Sequence, residues 1–266
     1  RARGHVVGYL GDGINDAPAL HAADVGLSVD TAVDVAREAA DIILLRHDLD
    51  ALRAGVREGR RTFGNIRKYI LMGTSSNFGN MFSMAGAALF LPFLPMLPMQ
   101  VLLNNVLYDL SELTIPFDQV DAEDVQKPQR WDMRYVRNFM WTMGPVSSLF
   151  DFITFYILLK VLDANEKLFQ TGWFIESLAT QVLVIFVLRT RRRPWASRPS
   201  LLVLAAALGT IAAGVALPFT PLGGYFGLVA PPVEFLAMLA ARVLAYLALA
   251  ETVKRIFHAR FVARAP

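Results

Sequence analysis

From Asn65 onward the chain holds six apolar stretches of bilayer-crossing length, near 66–91, 97–117, 136–160, 173–189, 200–219 and 232–254. A hydrocarbon core of about 30 Å takes roughly 20 helical residues, so each stretch reads as a membrane helix. Only 18% of the 266 residues are charged and 55% are hydrophobic, whereas soluble domains carry about a quarter charged residues. A single soluble enzyme is thereby disfavoured. The net charge of +3, from 26 Lys and Arg against 23 Asp and Glu, is small and scattered, which argues against a nucleic-acid partner. The absence of Cys excludes a disulfide framework and a thiolate metal site. The chain opens on Arg1 and runs at once into a strand-like segment, so it reads as the carboxyl-terminal piece of something longer.

The links between stretches carry orientation. Pro92 to Met96 is a Pro-rich hairpin, and Pro218, Pro221, Gly223 and Gly224 make another. Lys127, Arg130, Arg134 and Arg137 fill one loop, and Arg189, Arg191, Arg192, Arg193 and Arg198 a second. Lys254, Arg255, Arg260 and Arg264 mark the tail, while the alternate loops hold only Lys160 and Lys167. That asymmetry predicts cytoplasmic basic loops, amino-terminal segment and carboxyl terminus. Arg57, Arg60, Arg61, Arg67 and Lys68 mark the membrane surface before the first span.

Residues 1–62 read as a soluble part and 63–266 as the transmembrane part. In the former, Val6–Leu10, Val25–Val29 and Asp41–Leu45 are strand-length apolar runs, separated by helix-like Ala17–Ala23 and Thr31–Ala39. Such alternation implies a parallel sheet with crossover helices, here too short to close a domain, so further strands are expected upstream. Gly11-Asp12-Gly13-Ile14-Asn15-Asp16-Ala17-Pro18-Ala19-Leu20 follows the first strand and opens a helix, with Asn15 or Asp16 as candidate N-cap. Gly11 and Gly13 permit a sharp turn at a strand's carboxyl end, where open α/β sheets bind ligands. Asp12 and Asp16 are hard oxygen donors suited to Mg2+, and Asn15 is a neutral donor for a phosphoryl oxygen. Gly-Asp-Gly alone is equally an acidic strand-to-helix turn.

The whole string resembles the hinge motif of P-type cation ATPases in their haloacid-dehalogenase-like phosphorylation domain, and Ala22-Ala23-Asp24-Val25-Gly26 and Ala39-Ala40-Asp41-Ile42 continue the likeness. The resemblance implies that Asp12 holds the catalytic Mg2+ while Asn15 and Asp16 position the phosphoryl group. It makes the chain a partial α/β haloacid-dehalogenase-like domain followed by an all-α bundle of six transmembrane helices. No Asp-Lys-Thr-Gly phosphorylation sequence occurs here. ATP binding and the phosphorylated Asp therefore belong to a missing amino-terminal portion, and this chain alone is expected to be inactive.

Polar side chains in lipid are costly and face a cavity or a partner. Ser75, Ser76, Asn77 and Asn80 lie in the first span, Asn77 and Asn80 sharing a face. Asn104, Asn105, Asp109 and Glu112 lie in the second, where the spacing 105, 109, 112 marks one face, and Gln181 sits in the fourth. Asn77, Asn80, Asn105, Asp109 and Gln181 are expected at a common level as a cation site. The bland alternative is hydrogen bonding between packed helices. Ser76-Asn77-Phe78-Gly79-Asn80, Asn104-Asn105-Val106-Leu107-Tyr108-Asp109 and Lys127-Pro128-Gln129-Arg130 resemble the magnesium-transporting branch of these ATPases. Few carboxylates suit a strongly hydrated ion that keeps its waters, which favours Mg2+ over Ca2+. The resemblance implies ATP-driven Mg2+ import across a plasma membrane, the bacterial inner membrane, through a phospho-aspartate. Alternatives are a Ca2+ or H+ pump, or a phosphatase-like domain tethered to a structural bundle. A secondary transporter would show repeated halves, and no convincing repeat is present.

Asp151 and Arg242 lie at similar depth, so an ion pair is expected, with a role for Asp151 in cation access, or unpaired positions facing a cavity, as the alternatives. Asp118, Asp121, Glu123 and Asp124 read as a solvated loop, or else as an electrostatic collector for the cation. His5, His21, His47 and His258 show no metal-ligand spacing.

Overall fold

The computed structural model describes residues 3–46 and 48–261. Arg1, His47 and Arg264, which entered the sequence reading, lie outside the described residues. The chain divides into two compact units, Arg1–Arg60 and Arg61–Pro266.

In the first unit, β1 (Gly8–Leu10), β2 (Val25–Val29) and β3 (Ile42–Leu44) form a parallel sheet in the order β1-β2-β3. Gly8 pairs with Val25, and Leu27 with Ile42. The crossovers are α1 (Ala17–Ala22), with Pro18 in its first turn, and α2 (Asp34–Ala39). Leu20, Ala36 and Ala39 fill the small core beneath them. Val6 (73% exposed) and Leu45 (79%) leave apolar surface uncovered.

One 39-residue helix, α3 (Leu49–Ala87), leads into the second unit. It is followed by α4 (Pro98–Glu112), short α5 (Ala122–Gln126), α6 (Met133–Tyr156), α7 (Glu166–Leu183), α8 (Ile185–Leu188), α9 (Leu201–Ala216), short α10 (Pro221–Tyr225) and α11 (Val233–Phe261). Local chemistry sets several starts. The Asp132 carboxylate accepts from the Arg134 N–H at 2.8 Å, Asn165 Oδ1 from the Leu168 N–H at 2.9 Å, and Ser200 Oγ from the Val203 N–H at 3.3 Å. Each satisfies a donor that a helix start leaves orphaned.

Among the described residues, four helical segments are long and apolar enough to cross a membrane: Met133–Val161, Glu166–Leu188, Leu201–Phe219 and Val233–Arg260. The two earlier stretches do not stand out in this way. α4 has only 15 residues, and α3 spends its apolar half on Ser75, Ser76, Asn77, Asn80 and Ser83. α7 is the axis of the bundle. α4, α6, α9 and α11 pack around it, and Phe169 through Val182 are all buried. Trp173, Phe155, Phe169 and Phe235 form the aromatic centre, with Phe155 edge-on to Trp173 at 5.0 Å. A helix enclosed on every side has no polar face to give to water, so Gln170, Glu176, Ser177 and Gln181 are committed to the interior.

The acidic run after α4 is not a solvated loop. Asp118, 1% exposed, accepts from Lys68 Nζ at 2.9 Å and from Arg189, and Asp121 accepts from Ser197 Oγ at 2.8 Å. Asp124 is buried and pairs with Arg67 at 3.2 Å; only Glu123 stays exposed, against Arg192. Several basic residues counted as loop charges are interior for the same reason. Lys254, 1% exposed, donates to the carbonyls of Val187, Thr190 and Arg192 at 2.9, 3.1 and 3.0 Å, which tethers the loop after α8 to α11.

Candidate functional site

The first candidate site is the turn after β1. The Gly11 N–H donates to the Leu27 carbonyl at 3.0 Å, and Ser28 Oγ donates to the Gly11 carbonyl at 2.8 Å, so the turn is fastened to β2. Asp16 closes it. Its Oδ2 accepts the N–H groups of Gly13 at 2.9 Å and Asp12 at 3.1 Å, and its Oδ1 accepts the Tyr9 hydroxyl at 2.7 Å. The Gly13 N–H bond, then the Tyr9 hydroxyl, hold the Asp16 carboxyl below its ordinary value, and the same contact raises the Tyr9 phenol. Gly11 is glycine because a Cβ there would lie 2.5 Å from Asp16 Cβ. Both Asp16 oxygens are thus engaged in holding the turn.

Asp12 and Asn15 are exposed, and no hydrogen bond to the Asp12 carboxylate occurs among the described residues. The turn therefore offers one free carboxylate and one free carboxamide at a strand's carboxyl end. That donor set fits Mg2+, which commonly takes one or two carboxylates and completes its shell with phosphate oxygens and water.

The second candidate site lies in the bundle. Asn77 and Asn80 from α3 and Asn105 from α4 line one hollow of about 350 Å3, together with Asn104, Trp173 and Ser177. The Ser177 hydroxyl donates to Asn80 Oδ1 at 3.3 Å. Gln181 sits one turn along α7 and reaches the hollow through its neighbours: Nε2 donates to Ser177 Oγ at 2.6 Å and to Asn104 Oδ1 at 3.3 Å, while Oε1 is buried without a partner. Asp109 does not line this hollow. It is exposed on α4, as Asn105 is, whereas Asn104, Tyr108 and Glu112 occupy the helix's buried side. Of the five expected ligands, three face the hollow directly, Gln181 is linked by hydrogen bonds and Asp109 stands apart. No group of three or more His, Cys, Asp or Glu arranged to hold a metal ion occurs among the described residues. The hollow's polarity comes from carboxamides and a hydroxyl.

Sequence reasoning missed Glu176. It is 1% exposed on α7, inside an apolar stretch, and the rule that flagged Asp109 would have flagged it too. The Asp151–Arg242 ion pair does not form. Asp151 accepts from Ser83 Oγ and, at 2.9 Å, from Trp173 Nε1, while Arg242 Nη1 donates to Thr154 Oγ1, one turn further along α6. Arg242 reaches the right helix but not the right turn, and its guanidinium also lies over the Phe235 ring, 5.5 Å from the ring centre.

Residues 93–256 match the sequence family described as cation transporting ATPase, C-terminus. This chain belongs to the cation-transporting ATPases. It is 51% identical over 266 residues to the magnesium-transporting ATPase, P-type 1, of Salmonella typhimurium, and 50% identical over 269 residues to that of Escherichia coli (strain K12); each alignment takes in 98% of this chain. The calcium-transporting ATPase of Bacillus subtilis (strain 168) is 29% identical over 217 residues, covering 78% of this chain. The chain spans about 30% of the length of the curated magnesium-transporting relatives it matches. Membership in this family, with four helices of membrane-crossing character, makes it a multi-pass membrane protein.

Proposed function

We propose that this chain is the carboxyl-terminal third of a P-type ATPase that moves Mg2+ across a bacterial inner membrane into the cytoplasm, using ATP and a phospho-aspartate carried by the rest of the protein. Residues 1–62 are then the end of a haloacid-dehalogenase-like phosphorylation domain, and 63–266 a bundle of six transmembrane helices. α3 and α4 cross the membrane despite their polarity, with Asn77, Asn80 and Asn105 lining the hollow. The basic loops, amino-terminal segment and carboxyl terminus lie on the cytoplasmic side.

The observation that carries the reading is the convergence of Asn77, Asn80 and Asn105 on one hollow of about 350 Å3, large enough for an ion with several of its waters. Neutral carboxamides bind weakly enough to leave a strongly hydrated cation most of its shell. Asp109, on the exposed side of α4 and outside the hollow, supplies a carboxylate on the cation's way to or from it. In the soluble unit Asp12 holds the catalytic Mg2+, whose chemistry is to neutralise charge on the transferring phosphoryl group. Asp16 keeps the turn closed so that Asp12 and Asn15 point outward together, and Asn15 donates to a phosphoryl oxygen. α3 carries residues of both units in one uninterrupted helix, which gives chemistry at Asp12 a mechanical route to Asn77 and Asn80.

The test is ATPase activity and Mg2+ uptake of the full-length protein in liposomes, titrated with Mg2+, Ca2+ and pH. Asp109→Asn and Asn80→Ala are expected to abolish Mg2+-dependent turnover while the protein stays folded. Unaltered transport in both variants removes the site, and turnover that follows Ca2+ or pH instead of Mg2+ reassigns the cargo.

A further inference from the structure

Behind the Trp173 wall of the hollow lies a second polar cluster that cation binding in the hollow does not use. Asp151 on α6 is 2% exposed and Glu176 on α7 is 1% exposed, and Trp173, one turn before Glu176 on α7, donates to Asp151, which sets the two acids beside each other. Two carboxylates buried beside each other repel, and a single guanidinium nearby offsets only one of them, which favours one of the two being a carboxylic acid. The remaining donors say which. Ser83 Oγ from α3 donates to Asp151 Oδ2, and Trp173 Nε1 donates to Oδ1 at 2.9 Å, so Asp151 accepts on both oxygens. Glu176 is then the neutral acid, because its Oε2 is buried with no partner, a condition far costlier for a carboxylate than for a protonated carboxyl.

Arg242 of α11 stands beside this pair. Its Nε donates to the Met238 carbonyl at 3.3 Å and its Nη1 to Thr154 Oγ1, while Nη2 is buried and unpartnered. Glu176 lies within electrostatic reach of the guanidinium, and the buried Tyr246 of α11 faces both carboxyls. The ionisable groups around the pair are thus Arg242 and Tyr246, with Ser83, Thr154 and Trp173 as its neutral neighbours. One carboxylate against one guanidinium leaves the cluster neutral only if Glu176 keeps its proton.

We propose that Asp151 and Glu176 form a proton-binding site inside the bundle, distinct from the asparagine hollow, in which the two carboxyls share one exchangeable proton and Arg242 balances the remaining charge. Releasing that proton to water leaves two carboxylates and one guanidinium, with Arg242 Nη2 free to pair with Glu176. The site is joined to the hollow at two points on α7: Trp173 lines the hollow and donates to Asp151, and Ser177, next to Glu176, donates to Asn80. Occupancy of the hollow and protonation of the pair are therefore read by the same helix. The proton site stands whatever ion the hollow takes.

Infrared difference spectroscopy of the full-length protein in lipid nanodiscs at neutral pH tests this directly, in H2O and D2O. The wild type is expected to show a C=O stretch of one protonated carboxylic acid that shifts on deuteration and is lost in Glu176→Gln, a neutral isostere. Asp151→Asn is expected to lose the band as well, because removing the neighbouring negative charge leaves Arg242 to hold Glu176 ionised. Trp fluorescence and thermal unfolding establish that each variant is folded. A wild type without the band overturns the proposal whether or not the variants fold, and so does a folded variant of either kind that retains it. Neither readout depends on transport, so failure here is distinguishable from failure of the Mg2+ reading.

Discussion

Arg189 grips both oxygens of Asp118, Nε to Oδ2 at 2.8 Å and Nη2 to Oδ1 at 3.1 Å. The same carboxylate takes Lys68 of α3 and the Ser200 N–H at the start of α9, at 2.9 and 3.1 Å. A planar guanidinium matched to a carboxylate fixes geometry as well as charge. Three elements distant in sequence, α3, the loop after α8 and α9, are therefore pinned to the end of α4 through one side chain.

Asp118→Asn is expected to destabilise the bundle by about 3–5 kcal/mol, the cost of leaving buried cations unpaired, and thermal unfolding in detergent measures it. Burial pushes the Asp118 carboxyl up, but Arg189 and Lys68 outweigh it and hold it below its ordinary value. A depressed carboxylate stabilises the fold above its unfolded pKa of about 3.9, and that contribution is lost as pH falls through the lower folded value. The wild type is accordingly expected to lose stability steeply at acid pH, and Asp118→Asn to show a flatter profile over the same range.

Gly11→Ala places a methyl group 2.5 Å from Asp16 Cβ and 2.8 Å from Cγ. Asp16 must move, releasing the Asp12 and Gly13 amides, and a displacement of about 1 Å near reacting groups costs roughly 100-fold in rate. Phosphoenzyme formation and decay in the full-length protein are expected to fall by that order with Mg2+ saturating. Tyr9→Phe, which removes only the hydroxyl on Asp16 Oδ1, is expected to have a smaller effect.

Gly79 is where α3 and α6 approach most tightly: a Cβ would meet Ser147 Oγ at 2.1 Å and the Gly144 carbonyl at 3.0 Å, and Ser148 Oγ already donates to the Gly79 carbonyl at 2.9 Å. Gly79→Val is expected to cost about 1–3 kcal/mol through overpacking. Because Asn80 is the next residue, the Mg2+ concentration for half-maximal ATPase should rise as well. A purely structural defect would lower stability and leave that concentration unchanged.

Gln181→Leu separates interhelical glue from ion binding. The amide donates to Ser177 and Asn104, but its own Oε1 is orphaned. Losing the two donor bonds costs about 1–3 kcal/mol for each acceptor left bare, and removing the orphan returns about as much as one of them, so a net loss of about 1–3 kcal/mol is expected. The expected result is a shift of roughly tenfold in the Mg2+ dependence of turnover with a modest drop in melting temperature. A large drop in melting temperature at unchanged Mg2+ dependence would assign Gln181 to packing alone.

Local pattern was sufficient for the amino-terminal unit. The apolar runs at Val6–Leu10, Val25–Val29 and Asp41–Leu45 contain the three observed strands; of the helices between them, the first ends one residue earlier than expected and the second starts three residues later. The turn at Gly11 was equally legible, because its demands are met within six residues: a small residue where Asp16 folds back, and an acid to take the loop's own amides. Sequence also named the carboxamides Asn77, Asn80 and Asn105, since polar groups stand out against an apolar background.

Only tertiary packing decided which polar groups meet. A spacing of three or four residues says that two side chains share a helix face, but not what that face is turned toward, because helix rotation is fixed by contacts from other segments. Asn105 and Asp109 share the exposed side of α4, yet Asn105 reaches the hollow and Asp109 does not. The acidic run after α4 looked solvated because its neighbours in sequence are polar; Asp118 is buried because Lys68 and Arg189 arrive from α3 and α8. Asp151 is held by Ser83 and Trp173 instead of Arg242 for the same reason: α3 and the central α7 supply donors at its turn, while α11 delivers the guanidinium to Thr154. Composition and periodicity are properties of one segment, whereas a partner for a buried charge is supplied by another.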